Sequence, residues 1–89
     1  MRNIHRTSHF KKDIKKAIKA GKDLPRLKEV IQTLVNRKTL PEIYKDHKLN
    51  GHYDDCRECH IQPDWLLIYQ SSDNTLTLIR CGSHSELFK

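Results

Sequence analysis

Apolar and polar positions along this chain change period once, from helical spacing in the first half to alternation in the second. Phe10, Ile14, Ala17 and Ile18 recur three and four residues apart, the spacing that lines one face of a helix. Ser8 before them suits an N-cap, and Gly21 after them is a natural stop. Lys11, Lys12, Lys15, Lys16 and Lys19 fall opposite the apolar stripe, so this predicted helix has a cationic outer face. A second helix begins at Asp23-Leu24-Pro25, where proline suits the first turn. Its apolar face is Leu27, Val30, Ile31, Leu34 and Val35, and it ends near Asn36-Arg37-Lys38, with cations at the negative end of the helix dipole. The short connection around Gly21 predicts an antiparallel pair.

Residues 39–55 read as an extended loop punctuated by Pro41, Asn50, Gly51 and Asp54-Asp55. Three strand-like runs follow, Cys56–Gln62, Trp65–Ser71 and Thr75–Cys81, separated by turns at Pro63-Asp64 and Ser72-Asp73-Asn74. Residues 1–7 form a short first strand around Ile4, with weak alternation. The tail from Gly82 is too short for an element of its own. The expected fold is α+β in the order β-α-α-β-β-β, one domain over residues 1–89. Two antiparallel helices pack on one face of a small, mostly antiparallel sheet and leave the other face free to work.

Charge sharpens this division. Residues 1–48 hold fourteen Lys/Arg against five Asp/Glu, a balance of +9; residues 49–89 hold three against six, a balance of −3. Such a split suits a protein that grips a polyanion with one surface and acts on it with another. The run Trp65–Tyr69 is far too short to span a bilayer, and the first residues lack the apolar core of a secretory signal. The expected setting is the reducing cytoplasm, away from membranes.

The three cysteines, Cys56, Cys59 and Cys81, are odd in number and irregularly spaced, unlike a disulfide framework. Cys56-Arg57-Glu58-Cys59-His60 matches the haem-attachment pattern C-x-x-C-H, but a strand there would point the two cysteines to opposite faces. Zinc held by Cys56, Cys59, His60 and Cys81 or His84 would need a tight turn between the paired cysteines, and no Gly or Pro provides one. The cysteines are therefore expected as packing residues, with no metal and no cofactor.

A different group carries the chemistry: His47, His60, Asp64, Arg80 and His84. His60 and Asp64 flank the first strand turn, Arg80 lies near the end of the last strand, and His84 follows one step later. His47 sits on the long loop that could fold over this edge. RNA can be cut without metal by activating its own 2′-hydroxyl against the adjacent phosphate. That needs a base, an acid and cations around the phosphorane. Histidine suits either proton-transfer role because its ordinary pKa, about 6.5, lies near neutrality. Arginine suits the phosphate through its permanent charge and fork of donors.

The strings Tyr44-Lys45-Asp46-His47, His60-Ile61-Gln62-Pro63-Asp64-Trp65 and Arg80-Cys81-Gly82-Ser83-His84-Ser85-Glu86-Leu87-Phe88 resemble the signature of the YafQ-like toxins of the RelE/ParE superfamily. The resemblance covers essentially the whole chain and includes the element order read above. It implies a ribosome-dependent endoribonuclease that cuts mRNA in the A site. It also implies a neutralising antitoxin, typically with a ribbon-helix-helix DNA-binding part, and contact with operator DNA only through that antitoxin. The family's functional positions fall on His47, His60, Asp64, Trp65, Arg80, His84 and Phe88. His84 is then the expected acid, Asp64 or His60 the base, Arg80 the phosphorane's partner and His47 a phosphate-orienting group. Trp65 and Phe88 become candidates to contact the bases, and Lys12, Lys15, Lys16 and Lys19 to grip the 70S ribosome. The rival within the superfamily is a ParE-type inhibitor of DNA gyrase, which cuts no RNA; His47, His60 and His84 argue against it.

Overall fold

Thr7, rather than Ser8, starts the first helix. In this computed structural model, which describes residues 1–88, the Thr7 hydroxyl accepts from the Phe10 N–H at 3.0 Å and caps helix α1, Ser8–Lys19. The helix closes as predicted, with Gly21 in the left-handed region (φ +71°) and the Lys22 N–H donating to the Ala17 carbonyl at 3.1 Å. Asp23 caps α2, Leu24–Val35, through the Arg26 N–H, with Pro25 in the first turn.

Five strands form one sheet: β1 (Asn3–Arg6), β2 (His47–Lys48), β3 (Arg57–Gln62), β4 (Trp65–Ser71) and β5 (Thr75–Gly82). Their spatial order is β1-β5-β4-β3-β2, with β1 parallel to β5 and every other neighbour antiparallel. The expected loop 39–55 is thus more structured than its composition suggests. It carries β2 and two single 3-10 turns, Glu42–Tyr44 and Gly51–Tyr53. The tail is also more than a tail. Its last turn is a short helix α3, His84–Leu87, made possible by a full capping box between Ser83 and Glu86.

Phe10 and Ala17 of α1, and Leu27, Val30, Leu34 and Val35 of α2, bury against Cys59, Ile61, Trp65, Leu67, Tyr69, Leu76, Leu78 and Cys81 of the sheet. Both helices therefore cover the same face. Two expectations change here. Ile18 is 61% exposed and lies outside the apolar stripe. Its place facing the sheet side is taken by a charged residue, Asp13, which is buried. On the opposite face a smaller cluster, Cys56, Leu66, Ile68 and Leu87, lies under α3 and the segment before β3. Cys56 and Cys59 thus face opposite sides of the sheet, as strand geometry requires.

Trp65 is the clearest correction. It is 1% exposed within the helix-side core, so its ring packs against apolar neighbours and offers no face to a base.

Candidate active site

The face not covered by α1 and α2 is built by register. His47 pairs with Glu58, Glu58 with Ile68, and Ile68 with Arg80, one row across four strands. The next row is His60, Leu66 and Gly82, which leads into Ser83 and α3. With strands about 4.8 Å apart, each row spans about 10–15 Å, the scale of a few nucleotide groups.

Arg80 reaches this row through an irregularity. Leu76, Leu78 and Cys81 all face the helices, so strict alternation would put Arg80 beside the first two. The register between β4 and β5 slips at Ile68/Tyr69, and the extra residue in β5 carries both Ile79 and Arg80 off that face.

Where β1 stops, α1 continues to satisfy the β5 edge. β1 pairs only as far as Arg6↔Leu78. Beyond it the Thr7 N–H donates to the Leu78 carbonyl and the Thr7 hydroxyl to that of Ile79. Asp13 then accepts from the Cys81 N–H at 3.1 Å. The same carboxylate receives Arg80 through Nε at 3.0 Å and Nη2 at 2.9 Å, a two-pronged pair that raises the guanidinium's pKa further and fixes its plane. Asp13 was not singled out from sequence; a charge interrupting an apolar helical stripe was the available signal.

Glu58 was also missed. Only 2% exposed, it lies between two candidate histidines, with its Oε1 3.5 Å from His47 Nε2 and 3.8 Å from His60 Nε2. The rings are 6.2 Å apart at 31°. His47 Nδ1 donates to the Lys45 carbonyl at 2.7 Å, since a carbonyl can only accept, which turns Nε2 toward Glu58. Glu58 Oε2 and His60 Nδ1 are buried and have no hydrogen-bond partner among the described residues. The i, i+2 spacing of Glu58 and His60 on a strand was the sequence signal.

Asp64, His84 and Phe88 form a second group at the edge. Asp64 Oδ1 accepts from the His84 backbone N–H at 3.1 Å, so Asp64 positions α3 instead of pairing with the His84 ring. That ring is exposed and lies 4.9 Å from Phe88. Glu86 accepts from the Ser83 N–H and pairs with Lys16 at 3.0 Å. The backbone hydrogen bond above all, and Lys16 after it, draw its pKa down to about 2. A lowered carboxylate pKa stabilises docking above the ordinary value near 4.3 and loses that contribution as pH falls through the folded value. The α3 amide resonances should therefore hold their positions from neutrality to about pH 4, then move together toward pH 2. Movement complete by pH 4 would rule out the Glu86 latch. Lys11, Lys12, Lys15, Lys16 and Lys19 are all exposed, and only Lys16 is tied to this edge.

The cysteines stay out of the site. All three are free thiols and buried. Burial pushes Cys81 up to about 12 and Cys59 still higher, which keeps both protonated at neutral pH.

Residues 2–89 match the family described as the bacterial toxin of a type II toxin–antitoxin system, YafQ. The chain belongs to the YafQ toxin family. The mRNA interferase toxin YafQ of Escherichia coli K12 is 41% identical over 88 residues, covering 98% of this chain and 96% of that protein. YafQ in the E. coli DinJ–YafQ toxin–antitoxin complex superposes with a TM-score of 0.91 at 40% identity, over 99% of this chain and 98% of that one. A metal-bound toxin from Helicobacter pylori superposes at 0.92 with 48% identity, over 99% of this chain and all of that one. This YafQ-family toxin therefore shares its whole frame with these relatives, including the strand order that builds the two rows. Among the described residues no helix is long and apolar enough to cross a membrane.

Proposed function

We propose that this domain is a ribosome-dependent mRNA endoribonuclease that cuts the A-site codon by acid–base attack of the 2′-hydroxyl, without metal. The observation that supports it best is the sheet face away from α1 and α2, where His47, Glu58, His60 and Arg80 stand in adjacent rows around the small Leu66–Ile68–Leu87 cluster and α3 brings His84 to the edge. The E. coli relative's name as an mRNA interferase supports the same reading.

In this scheme His60 removes the 2′ proton; the Glu58 carboxylate, 3.8 Å from its Nε2, stabilises the imidazolium that forms. Asp64 is the weaker choice of base, because one of its oxygens is already engaged by α3. The 2′-oxygen attacks phosphorus, Arg80 and His47 take up the phosphorane's charge, and His84 protonates the departing 5′-oxygen. The products are a 2′,3′-cyclic phosphate and a free 5′-hydroxyl. Asp13 holds Arg80 so that its charge need not reorganise during the step.

The partners follow from the same reading. They are mRNA on the 70S ribosome in the cytoplasm and a ribbon-helix-helix antitoxin, with operator DNA reached only through the antitoxin. The E. coli YafQ seen with DinJ supports the antitoxin. In vitro translation with primer extension, with and without EDTA, tests the whole. Breaks at fixed codon positions that persist in chelator are expected. A DNA-supercoiling defect without breaks would mean gyrase inhibition instead, and loss of cleavage in EDTA would mean that metal takes part.

Reversing Lys12, Lys15 and Lys19 to glutamate tests the cationic face while leaving the Lys16–Glu86 pair alone. Ribosome binding should weaken, and the slope of log K against log salt should fall by about 2–3, near one unit for each phosphate no longer neutralised. Ribosome pelleting at stepped salt reads this, and unchanged association would reduce the lysines to a solvated surface.

A further inference from the structure

Arg80 also borders a hollow of about 360 Å³, whose walls include His9, His52 and Tyr53. We propose that this hollow is a second nucleotide subsite, which holds the mRNA residue adjoining the scissile phosphate. The inference rests on the endoribonuclease reading and extends the same site by one nucleotide.

Three observations carry it. First, among the described residues no acidic side chain lines the hollow, while an arginine, two histidines, a tyrosine, Thr7 and Ser8 do. That is a surface for a polyanion, and its volume lies in the range of ligand-sized pockets. Second, the guanidinium is shared. Asp13 occupies Nε and one side of Nη2, and the rest of the fork can meet a phosphate on the sheet face or in the hollow. Third, aromatic rings connect the two places without a break. His84 lies 4.9 Å from Phe88, Phe88 lies 5.7 Å from Tyr53 edge-on at 83°, and Tyr53 lies 5.1 Å from His52 at the same angle. Single-stranded RNA is held in this way, with bases against successive aromatic faces and phosphates against cations. His9 and His52 have no part in the ion pairs around Glu58, and the proposed reaction gives them no other work. His52 is exposed at the end of this ring series, so it forms the outer wall against which a base would lie.

The test uses a ligand that the enzyme cannot cut. The 2′-deoxy dinucleotide dApdA and the mononucleotide 5′-dAMP are titrated into ¹⁵N-labelled toxin and into the His52→Ala and His9→Ala variants. Both substitutions are at exposed positions, so the variants should keep the wild-type amide spectrum away from the hollow. In the wild type, dApdA should shift amides of both 84–88 and 51–53 and bind more tightly than 5′-dAMP. His52→Ala should weaken dApdA about tenfold, the scale of removing one stacking partner, and abolish its advantage over 5′-dAMP. In ribosomal cleavage the same variant should raise KM for mRNA by a similar factor and leave the rate at saturation within about twofold. If both variants bind dApdA as the wild type does, with cleavage KM unchanged, the subsite is refuted and the endoribonuclease reading survives. If the wild type cuts no mRNA but binds dApdA in this pattern, the subsite stands and the catalytic reading falls.

Discussion

Replacing His84 with alanine should slow codon cleavage by about 10²- to 10⁴-fold, the range over which a positioned general acid contributes. Thermal stability should change little. α3 is held by its capping box, by the Asp64–His84 backbone bond and by the Lys16–Glu86 pair, and none of these uses the His84 ring. The loss should appear in the rate at saturation, and the alkaline limb of the pH–rate profile should flatten, because the group that must be protonated is gone. Cleavage within a few-fold of wild type would exclude His84 as the acid and leave the leaving group to water or to His47.

Asp13→Ala should damage fold and activity together. Removing one partner of a buried ion pair strands the other, at a cost of about 3–5 kcal/mol. The lower end applies here, because Arg80 keeps 24% of its side chain exposed. The Cys81 N–H also loses its acceptor. For a domain of this size, about 3 kcal/mol lowers Tm by about 12–24 °C. Asp13→Asn is the cleaner probe. It retains an acceptor for Arg80 and the Cys81 N–H but removes the charge, so the fold should survive in the cold while cleavage falls about tenfold or more. Urea denaturation beside single-turnover cleavage separates the two effects. If Asp13→Asn were fully active, the pair would be an anchor of α1 to the sheet and nothing more.

Most of the architecture was legible because it rests on periodicity. The two helices, their caps near Gly21 and Asp23, and the β3-β4-β5 meander follow from spacings that few other folds could satisfy. What escaped notice depends on local chemistry that periodicity does not record. Thr7 outcompeted Ser8 as a cap because its hydroxyl also reaches the β5 edge. α3 exists because Ser83 and Glu86 cap each other, a motif legible in principle but hidden in so short a tail. Arg80 would face the core by strict alternation, and only the slip in β5 turns it away. Glu58 and Asp13 look like surface charges in the sequence; their burial depends on elements far away along the chain. Trp65 shows the opposite error. The family resemblance made it a base-stacking candidate, while its position in an apolar strand run had already given the simpler answer.

The parallel pairing of β1 with β5 has a consequence for when this toxin becomes dangerous. Asn3 waits for Thr75, and Asp13 waits for Arg80. Contacts so distant along the chain form slowly, and none of them can form while the polypeptide is still short. A growing chain that has reached β3 already contains His47, Glu58 and His60, but it lacks the arginine, the acid and the strand that would align them. On the proposed reading, a nascent chain therefore lacks part of its catalytic set until β5 and α3 are both complete. Assembly order would then delay the hazard, and the proposed antitoxin would need to be on hand only when synthesis is nearly over.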